Sequence, residues 1–185
     1  MAIIAATRFV SLEKAISFGV FDEFTWIRCE GKGSFLQSPA LKECAEKRRS
    51  KGENRFVIDL EECTGMDSTF MGLLAGLASR VSKEDGEVMI ASPGEKNLRS
   101  LEGLGLDFLL SISPKDASWI GKEDEIRKEL KPFSPNHMPD AKDRAQHVLD
   151  SHRTLASTSD DNAKRFATVL QVLETDVKNQ SEKGS

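Results

Sequence analysis

The chain has 185 residues, with 26 lysines and arginines against 30 aspartates and glutamates and a formal net charge of −4. That mild balance gives no support to nucleic-acid binding, which requires a concentrated basic face, and the length suits one medium domain with an appendage. Three cysteines, Cys29, Cys44 and Cys63, have no metal-ligand spacing and an odd count, which argues against a disulfide framework and for reduced thiols in a cytoplasmic protein.

The opening MAIIAATRFV is apolar but short and has no basic segment ahead of it, against the pattern of a signal peptide. No apolar run approaches the roughly 20 residues that span a bilayer. The expectation is a soluble, cytoplasmic chain without a membrane partner. Extra strands are expected in the first twenty-odd residues. FTWIRCEG (24–31), rich in aromatic and β-branched residues, reads as a strand that stops at the turn EGKGS. SPALKECAEKRRSKG (38–52) reads as a helix, with Ser38 as N-cap, Pro39 in the first turn and Gly52 ending it. RFVIDL (55–60) is the nearly continuous apolar run of a strand covered on both faces. MGLLAGLASRV (71–81) is a largely apolar helix, EVMIAS (87–92) a second buried strand, GEKNLRSLEGLG (94–105) a helix, and DFLLSI (107–112) a last short strand. Strands alternating with helices predict an α/β fold, a mixed sheet with helices mainly against one face.

After residue 112 the composition changes. Pro114, Pro132, Pro135 and Pro139 fall close together around the charged stretch KEDEIRKEL, which predicts a linker or a loosely docked arm over 113–138 with a brief helix inside it. Two amphipathic stripes follow, Ala141, Ala145, Val148, Leu149, His152 and Leu155, then Ala163, Phe166, Ala167, Leu170, Leu173 and Val177, with STSDD between them. They predict a helical hairpin over 139–185. Neither helix is stable alone, so the pair docks on the first domain (1–112), on a second copy to give a homodimer, or on a partner.

The segment CTGMDSTFMG (63–72) carries the chemistry. Strand RFVIDL, loop EECTGM and the DST at the mouth of an apolar helix resemble the STAS domain, the fold of bacterial anti-sigma factor antagonists. In that family a buried strand of pattern V-x-D-L leads into T-x-x-D-S-[ST]-G-L-G at a helix N-terminus, and a partner kinase phosphorylates the first serine. Thr64, Met66, Asp67, Ser68, Thr69 and Gly72 match, and Ser68 takes the phosphorylated position. GKGSFLQSPAL (31–41) resembles the family's first loop and helix, and GEVMIASPGEKNLRSLEGLGL (86–106) its last strand, turn and helix. About 100 residues are covered, and the hairpin lies outside them. Two positions depart: Phe70 stands where the family has glycine, with an expected effect on access to Ser68, and Ser34 stands where an aspartate is common.

The resemblance implies a regulatory, non-catalytic binding module of the anti-sigma factor antagonist type. It implies phosphorylation at Ser68, with Thr69 as the fallback hydroxyl. The implied partner is an anti-sigma factor or serine kinase-like protein, bound through Gly31, Ser34, Thr64, Met66, Asp67, Ser68, Thr69 and Phe70. No cofactor and no metal are implied. Read from the residues alone, Ser68 or Asp67 is simply an N-cap worth about 1 kcal/mol, which leaves a STAS scaffold or self-associating signalling component without phosphorylation as the alternative. His147 and His152 are five residues apart, too far around a helix to chelate together, and no histidine stands near Cys63 in sequence to activate it.

Overall fold

A computed structural model describes residues 15–136 and 139–182. The expected strands before residue 15 lie outside the described residues. The elements in chain order are β1 (Ile16–Val20), β2 (Thr25–Cys29), β3 (Gly31–Gly33), α1 (Ser38–Arg49), β4 (Arg55–Asp59), β5 (Cys63–Met66), α2 (Ser68–Val81), β6 (Glu87–Ala91), α3 (Glu95–Glu102), β7 (Ser111–Ile112), α4 (Glu123–Glu129), β8 (Lys131–Pro132), α5 (Ala141–Ala156) and α6 (Asp160–Glu182).

The main sheet runs β7-β6-β4-β2-β1-β8. Its centre is parallel, β2 to β4 to β6 to β7, while β1 joins β2 by a hairpin and β8 closes the edge antiparallel to β1. Alternation along the strands sends one set of side chains to each face. Ile27, Cys29, Phe56, Ile58, Val88 and Ile90 point into a core shared with α1, α2 and α3. Trp26, Val57, Met89 and Ala91 point to the opposite face. Both sets are buried, so RFVID reads as continuous apolar sequence, and each fully buried large side chain stabilises by about 1.5–3 kcal/mol.

Residues 117–130, within the stretch expected as a linker or a loosely docked arm, cover that opposite face. Trp119 and Ile126 bury against Trp26, with the two indoles edge to face at 5.3 Å. Arg127 of α4 is clamped to the fully buried Asp59, Nε to Oδ2 at 2.9 Å and Nη2 to Oδ1 at 3.2 Å. Arg28 reaches Oδ2 at 2.9 Å and the Trp26 indole N–H donates to it at 3.2 Å. Burial alone would push the Asp59 carboxyl up, but the bonds and charges of Arg127 and Arg28 and the Glu61 N–H hold it below the usual carboxylate range.

Three local readings differ from the structure. Gln37, not Ser38, precedes α1; Ser38 is its first residue and buried. EGKGS and CTGM, expected as turn and loop, form a parallel two-stranded ribbon, Gly31 opposite Cys63 and Gly33 opposite Met66. DFLLSI is divided into a 3-10 turn over Leu106–Phe108 and the two-residue β7. The hairpin, expected to dock on the first domain, on a second copy or on a partner, lies along α2 of the first domain. Its α5 buries Leu149, Ser151, His152 and Leu155, and α6 adds Phe166 to the same core. The sheet's other face is already taken by Trp119 and Ile126, and α2 offers a groove at Gly72 and Gly76, which face Ser151 and Thr154. No helix among the described residues is long and apolar enough to cross a membrane.

Candidate functional site

The ribbon β3–β5 sets the mouth of α2 against the loop that enters α1. Gly31 turns the chain out of β2 with φ +77°, a backbone angle that glycine takes at no steric cost. Ser34 follows β3, half-buried, and its carbonyl accepts from the N–H groups of Gln37 and Ser38 at 2.9 and 2.8 Å, starting α1. Phe35 and Leu36 of the same loop stand 43% and 50% exposed.

Asp67 is the N-cap of α2, with extended backbone. Its Oδ1 accepts from the Phe70 N–H at 2.9 Å and its Oδ2 from the Phe35 N–H at 2.8 Å. Its own N–H donates to the Gly33 carbonyl at 2.9 Å. One carboxylate thus satisfies an orphan donor of the helix and fixes the α1 loop beside it. Ser68, the first residue of α2, is released from capping. Its Oγ lies 2.8 Å from Nε2 of His152 on α5.

The other expected residues divide between surface and interior. Thr64 is exposed and Met66 and Asp67 are half-buried. Lys96 of α3 reaches the Thr64 carbonyl at 3.5 Å and arches over Gly65. Thr69 is 3% exposed and Phe70 is fully buried. Phe70, expected on the partner face and near the Ser68 hydroxyl, turns inward, and its ring lies 3.0 Å from where a Gly33 Cβ would be. An interior ring cannot meet a partner by its side chain. Cys63 is buried at the start of β5, and the Asn97 side chain holds its carbonyl at 2.7 Å.

His152 is the participant that reading the sequence missed at this site. Its place on the apolar stripe of α5 marks a packed histidine, and its ring does pack edge to face on Phe166 at 5.6 Å; nothing in the sequence pairs it with Ser68, 84 residues earlier. His147, one turn and a half before it, lies 2.7 Å from Ser38 Oγ. Burial first, then the charge of Lys42, pushes His147 down to about 4. Each histidine therefore addresses a serine at the start of a different helix. Among the described residues no group of three or more His, Cys, Asp or Glu could hold a metal ion.

Comparison with known proteins agrees with this geometry. The model of the STAS domain matches residues 15–118. An anti-sigma-B factor antagonist of Staphylococcus aureus is 27% identical over 92 residues, which are 50% of this chain and 85% of the relative. The crystal structure of a candidate anti-sigma factor antagonist from Thermotoga maritima superposes with a TM-score of 0.52 at 20% identity, over 63% of this chain and 97% of that one. An NMR structure of the same Thermotoga protein gives 0.50 at 19% identity, over 60% of this chain and 88% of that one. These two structures bear on the fold. Both helices of the hairpin lie beyond the matched family residues.

Proposed function

The chain belongs to the STAS-domain family, and we propose that it is a regulatory protein-binding module of the anti-sigma factor antagonist kind, without catalysis of its own, switched at Ser68. The observation that carries this reading is the division of labour at the α2 mouth. Asp67 does the capping, so the Ser68 hydroxyl is not needed to start the helix. The relatives named anti-sigma-B factor antagonists support an anti-sigma factor or serine kinase-like protein as the partner, in the cytoplasm. Its footprint would take in Gly31, Ser34, Thr64, Met66, Asp67 and Ser68, with the exposed Phe35 and Leu36 beside them. Thr69, the fallback hydroxyl, is buried and is the weaker acceptor.

In the modification the partner kinase's base takes the Ser68 hydroxyl proton, and the Oγ–P bond forms as the bond to the departing nucleoside diphosphate breaks. The product carries roughly −1.5 to −2 charges at neutral pH. The helix N-terminus stabilises such an anion by about 0.3–1 kcal/mol, so α2 keeps its fold. A partner that buried the same spot would meet a desolvated dianion beside Asp67, a cost of several kcal/mol, on the order of an unpaired buried polar group or more. Binding is lost and structure is kept.

Phosphopeptide mass spectrometry on the protein from its own cells, under growth and stress, tests this. The expected result is phosphate on Ser68 that changes with condition, and a Ser68→Ala chain whose signalling output no longer responds. Clean spectra together with an unaltered Ser68→Ala output would overturn it and favour a second reading, a self-associating scaffold. Val169 and Val172 stand exposed along α6 and support that reading, and light scattering on the same preparation would then give the mass of a dimer.

A further inference from the structure

The α2 mouth is already occupied by the chain itself. Ser68 Oγ meets His152 Nε2 at 2.8 Å, and Nδ1 of the same ring lies 2.8 Å from the Val148 carbonyl. A carbonyl only accepts, so the proton sits on Nδ1 and Nε2 takes the Ser68 hydroxyl hydrogen. One turn along α2, a Cβ on Gly72 would run into the Ser151 carbonyl oxygen. The backbones of α2 and α5 touch there, and only glycine permits it. The hairpin is latched further out as well. Asn162 donates to the Leu104 carbonyl at 2.8 Å, Arg165 to the Gly103 carbonyl at 3.0 Å, and His147 meets Ser38 at 2.7 Å.

We propose that α5 and α6 form an intramolecular lid on the Ser68 surface, and that lid docking and a phosphate on Ser68 exclude each other. The inference rests on the reading of Ser68 as a switch and adds its regulation: the hairpin has to leave before a kinase or a partner can reach the site. The chemistry is a mismatch of donors. At this point α5 presents the Nε2 lone pair of His152, and the hydroxyl of Ser68 supplies the hydrogen between them. A phosphoserine replaces that donor with acceptor oxygens and adds charge next to Asp67. The α2 N-terminus tolerates the anion, so the penalty falls on docking and leaves the helix alone. The gap cannot widen locally, because the backbones are in contact one turn away at Gly72.

The test uses the full chain with phosphoserine encoded genetically at position 68, compared with the unmodified chain by amide hydrogen exchange. Amides of α5 and α6 are expected to exchange about tenfold or more faster in the phosphorylated chain, with β4 and β6 unchanged. Unchanged or slower exchange across α5 would overturn the lid, the slower case meaning that α5 clamps the phosphate. An uncharged wedge, Gly72→Leu, should speed the same amides without any phosphate. Should that variant lose protection in β4 as well, Asn162→Ala with Arg165→Ala unlatches α6 away from the sheet. In either background a Ser68→Cys thiol should react with DTNB about tenfold or more faster than in the latched chain, and equal rates would count against the lid. These readouts need neither kinase nor partner. They can fail while Ser68 phosphorylation in cells stands, and hold while it fails.

Discussion

Asp67 and Ser68 divide two jobs that one polar residue at a helix mouth could do alone. The sequence offers both as caps and cannot choose, because N-cap preference for Ser and Asp is nearly equal. The choice is made by the β3–β5 ribbon, which aims Asp67 at both Phe35 and Phe70. Phe70 shows the opposite kind of illegibility. By position in the motif it belongs beside the switch, but its ring fills the space that Gly33 leaves empty, a pairing across 37 positions that no local pattern reveals. Overpacking at this contact is the testable consequence. Gly33→Ala should destabilise the chain by about 1–3 kcal/mol in urea unfolding, and adding Phe70→Leu should return a good part of that loss. A double variant no more stable than Gly33→Ala alone would mean that the ring is not what the new methyl strikes.

At the scale of elements, what could be read in advance followed periodicity. β2, β4, β6, α1, α2, α3 and the two hairpin helices carry either a short, nearly continuous apolar run or an apolar stripe of period 3.6, and were expected in these places. β3 and β5 were not, because GKG and CTGM have glycine where strands favour β-branched residues, and their pairing is a long-range event. Reading this stretch as a linker or a loosely docked arm could not name the partners that Trp119, Ile126 and Arg127, spread through proline-rich charged sequence, find in Trp26 and Asp59. The hairpin's docking carries its own pH dependence. His147 faces Ser38 and Lys42 across the interface, and Asp67 and Asp150 nearby, and is held at about 4 against 6.5 in the open. Between those values the undocked hairpin takes up a proton that the docked one refuses. Docking is therefore at full strength above pH 6.5 and weakens as the pH falls toward 4, by at most about 3 kcal/mol. Exchange of α5 amides, normalised to β4, should rise over that window, and His147→Gln should flatten most of the rise. A profile indifferent to that substitution would remove His147 from the account.

Over the whole molecule, the sheet separates two cores of different character. One face holds the STAS helices and the hairpin, and the other holds Trp26, Trp119 and the Asp59 charge cluster. The fold class was legible because strands and helices alternate; the placement of the appendage was not, because its apolar stripes fit several surfaces equally and only the small residues of α2 decide among them. The order of these parts along the chain also sets a clock. His152 follows Ser68 by 84 residues, and at about 5 to 20 residues per second of synthesis the serine precedes its cover by roughly 4 to 17 s. A ribosome-stalled Ser68→Cys chain ending near residue 140 should react with a maleimide as an unshielded thiol does, and one carrying the whole hairpin clear of the ribosome should react more slowly; equal rates would refute the timing. On this proposal Ser68 leaves the ribosome before its cover does, so that reactivity at position 68 separates chains whose hairpin is still unmade from chains that carry it.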